Sequence, residues 1–467
     1  MHKESSFRAW LPSLAVVLAV SSIGLFYESA RSDGRPPAPE YKSRRQKLLD
    51  KLKDGVVVLL GAREEDFGEV GRFRQNNYFM YVTGVDTPAA YVMLVPEGLI
   101  PGKPAQETVF VPPRNLMRER WTGVQIGPGP EAEQRFGVQE VASSDRFMAR
   151  LIDLLTGPPF KSDDRRSQVA ARLYTIVPRG QTAALTRENQ FVEVIKRAAP
   201  HVNVVDVSAT IDELRKVKSP AEIELLQKAI DITGEAQHEA SQQIRTGAYE
   251  YEVQGALEYA FTRNGAERPG FPSIVGSGIN STVLHYNENR KKIDAGDLVV
   301  VDIGAEYGYY SADITRTYPA SGKFTARQRE VYQLVLDSQR AAEKAFKPGE
   351  TTLRQLQQAA TDVMRSSSVK DKNGNTLERY FIHGLGHWLG MDVHDVGDYS
   401  KGLPPGSVIT IEPGVYIPEE KLGVRIEDDY LVTGTGLVKM SSKIPSEPDE
   451  IERLMSKRRT PTAANTR

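Results

Sequence analysis

Leu298-Val-Val-Val-Asp-Ile-Gly-Ala-Glu-Tyr-Gly-Tyr-Tyr-Ser-Ala-Asp-Ile-Thr-Arg-Thr317 is an apolar run, a glycine-containing break and a second β-rich run, each run carrying one aspartate. That pattern predicts a β-hairpin. A turn centred on Tyr307 and Gly308 sets Asp302 directly opposite Asp313, with Cβ atoms about 4.5–5.5 Å apart. Two carboxylates held that closely repel each other unless one is protonated or a cation lies between them.

The pattern occurs a second time. Val408-Ile-Thr-Ile-Glu-Pro-Gly-Val-Tyr416 and Gly423-Val-Arg-Ile-Glu-Asp-Asp-Tyr430 flank Pro418-Glu-Glu-Lys421, and a turn centred there sets Glu412 opposite Glu427. Charged pairs on hairpins usually form a solvated face, but these acids follow β-branched runs expected to be buried. Between the hairpins lies His383-Gly-Leu-Gly-His-Trp-Leu-Gly390, continued by Met391-Asp-Val-His394-Asp395. Its glycines disfavour helix and strand, predicting a loop whose backbone approaches something closely. Four of the seven histidines, His285, His383, His387 and His394, accompany the acidic pairs. Four inward carboxylates and a histidine suffice for two hard or borderline divalent ions about 3.5–4 Å apart, sharing a water.

The chain has 467 residues, a length that implies more than one domain, and a formal net charge of -1, which leaves no nucleic-acid footprint. It contains no cysteine, so disulfides, thiolate metal sites and cysteine nucleophiles are excluded and any metal must be held by oxygen and nitrogen. His2, Lys3 and Arg8 precede an apolar run over residues 11–27, which reads as a targeting segment. The expectation is export to a periplasmic or secreted location, with membrane anchoring through this segment as the other outcome. Residues 31–39, rich in proline, read as a flexible spacer.

Apolar runs at 55–60, 90–95, 173–177 and 202–207, with a helical pattern at 44–52, predict an α/β domain over residues 40–210. Ser219 can cap a helix with Pro220 at its first position and Glu222 near the third, and an apolar stripe continues to about residue 244. That helix is expected to open a second domain, residues 211–452, with further helices at 327–346 and 353–364. Residues 1–39 are assigned to the signal or anchor and linker, and 453–467 to a disordered tail.

Asp302 with Asp313, the segment His383 to Asp395, Ile411-Glu-Pro-Gly-Val-Tyr416 and Gly423-Val-Arg-Ile-Glu-Asp428 resemble the aminopeptidase P and prolidase family of pita-bread metallopeptidases. Ile279-Asn-Ser-Thr-Val-Leu-His285 is similar to its substrate-contacting segment. Arg74-Gln-Asn-Asn-Tyr-Phe-Met-Tyr-Val-Thr-Gly84 and Glu119-Arg-Trp-Thr-Gly123 are similar to the N-terminal domain of aminopeptidase P. The resemblance implies an α/β N-terminal domain followed by an α+β pita-bread (creatinase/aminopeptidase-like) catalytic domain. It also implies two divalent ions, manganese the expected metal: Asp302 on one, His387 and Glu412 on the other, Asp313 and Glu427 bridging both. Glu412 would move the proton of a metal-bridged water, and His394 and His285 would hydrogen-bond the substrate carbonyl and the tetrahedral intermediate. Arg425 would either pair with an aspartate or contact substrate, and His383 and Tyr416 would line a proline pocket. The implied substrates are peptides with proline second, cleaved by a homo-oligomeric enzyme. The alternatives are prolidase, which takes Xaa-Pro dipeptides, and a metal-free binding module of the same fold, which would be expected to have lost ligands.

Overall fold

The computed structural model describes residues 34–64, 73–100, 102–157, 172–178 and 186–457. The expected targeting segment and the end of the tail lie outside them. Among the described residues no helix is long and apolar enough to cross a membrane.

The N-terminal half is built on a six-stranded sheet. Its strands are β1 (Val56–Leu60), β2 (Tyr91–Val95), β3 (Gln106–Val111), β4 (Glu140–Ser143), β5 (Arg172–Thr175) and β6 (Asn203–Asp206), in the order β4-β3-β2-β1-β5-β6. β1 runs parallel to β5 and antiparallel to β2. Its unbroken apolar sequence follows from burial on both faces. Val57 and Leu59 pack with Leu48, Phe79 and Met80 on one side, while Val56, Val58 and Leu60 meet Phe147, Leu151 and Ile195 on the other. A helix spans Asn77–Thr83, opened by Asn76, whose side chain accepts from the Phe79 N–H, and closed by Gly84 in the left-handed region.

The C-terminal half repeats one plan twice: a pair of packed helices, then a bent hairpin. In the first copy Ser219 and Glu222 form the expected capping box for the helix Pro220–Gln243, which packs on Glu250–Arg263. Short strands β7 (Arg268–Pro269) and β8 (Ile274–Ser277) lead to β9 (Leu298–Ile303), β10 (Ala305–Tyr307), β11 (Tyr310–Ser311) and β12 (Ile314–Pro319). In the second copy the helices are Ala326–Ala345 and Leu353–Ser366, each with a capping box. The hairpin strands are β13 (Val408–Ile411), β14 (Gly414–Ile417), β15 (Leu422–Arg425) and β16 (Asp428–Val432), and β17 (Leu437–Lys439) adds to the edge of β16. The repeat extends to one side chain. Gln237 Nε2 donates to the carbonyls of Val301 and Ile314, and Gln339 Nε2 to those of Ile411 and Ile426, so each glutamine holds the two arms of its hairpin together.

Two expectations need correction. The last helix, Pro448–Ser456, buries Ile451 and Met455, so residues 453–456 are helical rather than disordered tail. The described end of the spacer is packed rather than free: the Gly34 carbonyl lies against Gly308, and Arg35 pairs with Asp86 at 2.9 Å.

Candidate metal centre and cleft

In the first hairpin Thr315, not Asp313, faces Asp302, because Ile303 pairs with Ile314 and Tyr307 with Tyr310. The turn residues are therefore Gly308 (φ 58) and Tyr309 (φ 73), one position later than the sequence suggests. The shift preserves the face, so Asp302 and Asp313 remain on one side as diagonal neighbours. The ladder breaks at Gly304 and Ala312-Asp313, where a Cβ on Gly304 would stand 1.8 Å from the Ala312 carbonyl oxygen. In the second hairpin the register is the expected one: Ile411 pairs with Asp428 and Gly414 with Arg425, leaving Glu412 and Glu427 across from each other at the break between two ladders. Interruptions of this kind bend a strand and re-aim its side chains. Here all four acids turn into one cleft. The hairpins are stitched together by Glu427 N–H to the Thr315 carbonyl at 3.1 Å and by Arg425 N–H to Thr317 Oγ1 at 3.1 Å.

The glycine-rich loop lies along β13, with Leu389 N–H bonded to the Val408 carbonyl and Thr410 N–H to the His387 carbonyl. Close approach explains Gly386, where a Cβ would stand 2.1 Å from the Thr410 carbonyl oxygen. The docking delivers the His387 imidazole between the acids. Its Nδ1 faces the Trp388 carbonyl at 3.0 Å; a carbonyl only accepts, so Nδ1 carries the proton. Nε2 points at the acids, 3.4 Å from Asp313 and 3.6 Å from Glu412. An imidazole held through its other nitrogen is oriented as metal-ligating histidines are.

Burial and mutual repulsion push the Asp313 and Glu427 carboxyls well above the usual range, and burial raises Glu412 to about 7. Asp302 is the compensated member, paired with Arg425 at 2.6 Å. Even so, Asp302 Oδ1 and Glu427 Oε1 are buried with no hydrogen-bond donor among the described residues. Such oxygens are costly to leave unpartnered. Ligand atoms of Asp313, His387 and Glu427 all lie within 4.8 Å of one another, a spacing one cation can span. Carboxylate oxygens with one imidazole nitrogen suit manganese, cobalt or zinc, so the residues fit the metal expected of them.

The cleft has a volume of about 480 Å³ and is lined by all five of these residues together with His285, His383, His394 and Arg425. Phe271, Leu284 and Val393 supply an apolar wall. His285 and His394 stand exposed at its open side. His383 is neutral, lowered to about 4 by burial and then by the charge of Arg425. Its Nδ1–H faces the Gly384 carbonyl, so its Nε2 accepts from the Tyr416 hydroxyl at 2.8 Å. That hydroxyl in turn accepts from Arg425 Nη1 at 2.9 Å. Tyr416 is thus a correction: it does not line the cleft but stands behind His383 and Arg425, 2% exposed.

Sequence reading missed two residues that complete the site. Thr315 donates to Glu427 Oε2 at 2.7 Å and accepts from Arg425 Nε at 3.1 Å, and Asp429 accepts the Asp313 N–H at 3.2 Å. The strand alternation from Asp313 would have pointed to Thr315. The same alternation from Glu427 points to Asp429 and turns Asp428 to the opposite face, where it pairs with Arg316.

Comparison with known proteins gives the family. Residues 224–434 match the model of metallopeptidase family M24, and residues 41–160 match the aminopeptidase P N-terminal domain. The chain is 34% identical to Xaa-Pro aminopeptidase of Escherichia coli (strain K12), across 89% of this chain and 97% of that protein. It is 30% identical to Homo sapiens Xaa-Pro dipeptidase, across 90% and 94%. The structure of E. coli aminopeptidase P with the inhibitor Pro-Leu superposes with a TM-score of 0.79 at 32% identity, covering 90% of this chain and 99% of that one.

Proposed function

Given that the chain belongs to metallopeptidase family M24 and carries the aminopeptidase P N-terminal domain, we propose that it releases the N-terminal residue from peptides with proline in second place. The observation that carries this reading is the convergence of two acidic couples on the Nε2 side of one imidazole, opening on a cleft with an apolar wall. Asp302 would serve one divalent ion, His387 and Glu412 the other, and Asp313 and Glu427 both, with manganese the expected metal; all five line the cleft, and Asp313, His387 and Glu427 lie close enough to share a cation. When bound, such ions supply Lewis acidity and bring the pKa of water toward neutrality.

The remaining chemistry falls to the chain's own groups. Glu412, which lines the cleft beside His387, is suited to take the proton of the attacking water and deliver it to the proline nitrogen as the C–N bond breaks. His394 and His285, at the open side of the cleft, are suited to donate to the oxygen that gains charge. Arg425 acts through Asp302, which it pairs, and His383, braced by Tyr416, offers a neutral surface to the proline ring. Leu116, Met117, Trp121 and Val124, all at least 65% exposed, lie on or just after the helix Leu116–Thr122, and apolar exposure of this kind supports assembly into a homo-oligomer. Export, with the N-terminal segment cleaved or kept as an anchor, belongs to the same proposal and rests on residues 11–27.

The test is kcat/KM on matched tripeptides with proline or alanine second, together with Xaa-Pro dipeptides. A proline ring filling an apolar pocket gains only about 1–3 kcal/mol over a smaller side chain, so most of the preference must come from the imide, which lacks an N–H and fixes φ. Equal values for proline and alanine would mean a general aminopeptidase. Turnover of dipeptides alone would mean a prolidase, the reading favoured by the human dipeptidase relative.

A further inference from the structure

His394 has no hydrogen bond among the described residues. Among the described residues its exposed ring has one aromatic neighbour, the His387 ring at 4.2 Å between centroids. Its place is therefore set by the backbone on either side, and both sides are pinned from outside the catalytic domain's hairpins. Asp395, one residue on, is buried; its Oδ1 accepts from Arg215 Nη2 at 2.6 Å and its Oδ2 from Lys218 Nζ at 3.0 Å. Asp392, two residues back, accepts from the same Arg215 Nη2 at 2.7 Å and from Asn77 Nδ2 at 2.7 Å. Asn77 also bonds the Met391 carbonyl at 3.1 Å. Arg215 ends the helix Ser208–Arg215 that joins the two halves, is 2% exposed, and lies over the Tyr78 ring at 5.3 Å. Asn77 and Tyr78 belong to the N-terminal half.

We propose that Arg215, seconded by Lys218 and Asn77, is a positioning residue for His394, so that the N-terminal half and the linker helix fix the angle at which this imidazole enters the cleft. The inference rests on the reading of His394 as a donor to the substrate. One guanidinium nitrogen bonded to carboxylates on both sides of residue 394 prevents the segment from pivoting. A neutral side chain at 215 would leave Asp392 and Asp395 free to separate. A misplacement of about 1 Å in a catalytic group is enough to cost about 10²-fold in rate.

The experiment is a double-mutant cycle on kcat for an Xaa-Pro tripeptide, using Arg215→Ala, His394→Ala and the combination, with metal content and Tm recorded for each. Arg215→Ala is expected to lower kcat by about 10- to 100-fold with KM and metal content little changed. His394→Ala is expected to lower it by about 10²- to 10³-fold, the effect of one lost oxyanion donor. The combination should be no slower than His394→Ala alone, and Arg215→Lys should recover part of the rate. A general structural role would slow both backgrounds by the same factor, and that result overturns the inference while leaving the function of His394 intact. Wild-type turnover in His394→Ala would overturn the reading beneath it. Should Arg215→Ala fail to fold, Asn77→Ala removes a single arm of the clamp and is expected to lower kcat about threefold to tenfold, again only while His394 is present. An equal loss in both backgrounds overturns the proposal there too.

Discussion

Thr315 shows how much of the centre depends on a residue with no chemistry of its own. Its hydroxyl joins the two acidic pairs, donating to Glu427 and accepting from Arg425, which in turn holds Asp302. Thr315→Val keeps shape and burial but strands a carboxylate oxygen and a guanidinium N–H. A loss of about 1–3 kcal/mol is expected in denaturant unfolding, with weaker retention of metal under a competing chelator. Asp313→Ala and Glu427→Ala are more drastic. Each removes a ligand proposed to serve both ions, so turnover should vanish and elemental analysis should find neither ion; two metals per chain in either variant would refute that assignment. The acids of the cleft were legible because an acid at the end of a buried apolar run is anomalous. A threonine inside a strand is ordinary, so Thr315 passed unnoticed.

Among the elements, the first hairpin was read one turn position early, for a specific reason. Two-residue turns that match strand twist need positive φ at both central residues, and asparagine, aspartate or glycine is the usual choice. Here the second is Tyr309, in the left-handed region at φ 73. Tertiary contacts hold it there: its hydroxyl accepts the Gln75 N–H at 3.0 Å, and Arg74 stacks over its ring at 4.6 Å. The true turn therefore depends on the N-terminal half, which no local pattern reveals. Gly308→Ala tests the fit, since a Cβ there would stand 1.9 Å from the Gly34 carbonyl oxygen at a φ of 58. A stability loss of at least about 1–2 kcal/mol is expected as a lowered Tm, and an unchanged Tm would mean the contact yields freely. The second hairpin was read in register because Pro418 and the acidic residues after it mark its turn plainly. The helices Pro220–Gln243 and Leu353–Ser366 were equally plain from their caps and stripes, with ends displaced by a residue or two. The twofold plan was not, because Gln237 and Gln339 share a role without sharing a motif.

For the whole molecule, the crowded carboxyls predict how stability responds to pH. Without a cation between them, Asp313 and Glu427 stay protonated well above the usual range and Glu412 up to about 7. Unfolded carboxyls release their protons near pH 4. Between those limits the folded, metal-stripped chain binds more protons than the unfolded chain, so its stability falls as pH rises. Asp395, whose burial is outweighed by Lys218 and Arg215, and Asp428, buried against Arg316, are held below the usual range and lose their contribution only in acid below about pH 4. Calorimetry with and without chelator should show a Tm gap that widens from about pH 5 to about pH 8; a gap independent of pH would mean that the acids do not repel. The division of the proposed ligands between two hairpins also sets an order in time. Asp302 and Asp313 are synthesised well before Arg425 and Glu427, on the order of ten seconds at ribosomal speed. Through that interval the first hairpin carries two aspartates with neither the arginine nor the partner acids beside them. The residues proposed to hold metal therefore come together only when the second hairpin docks on the first.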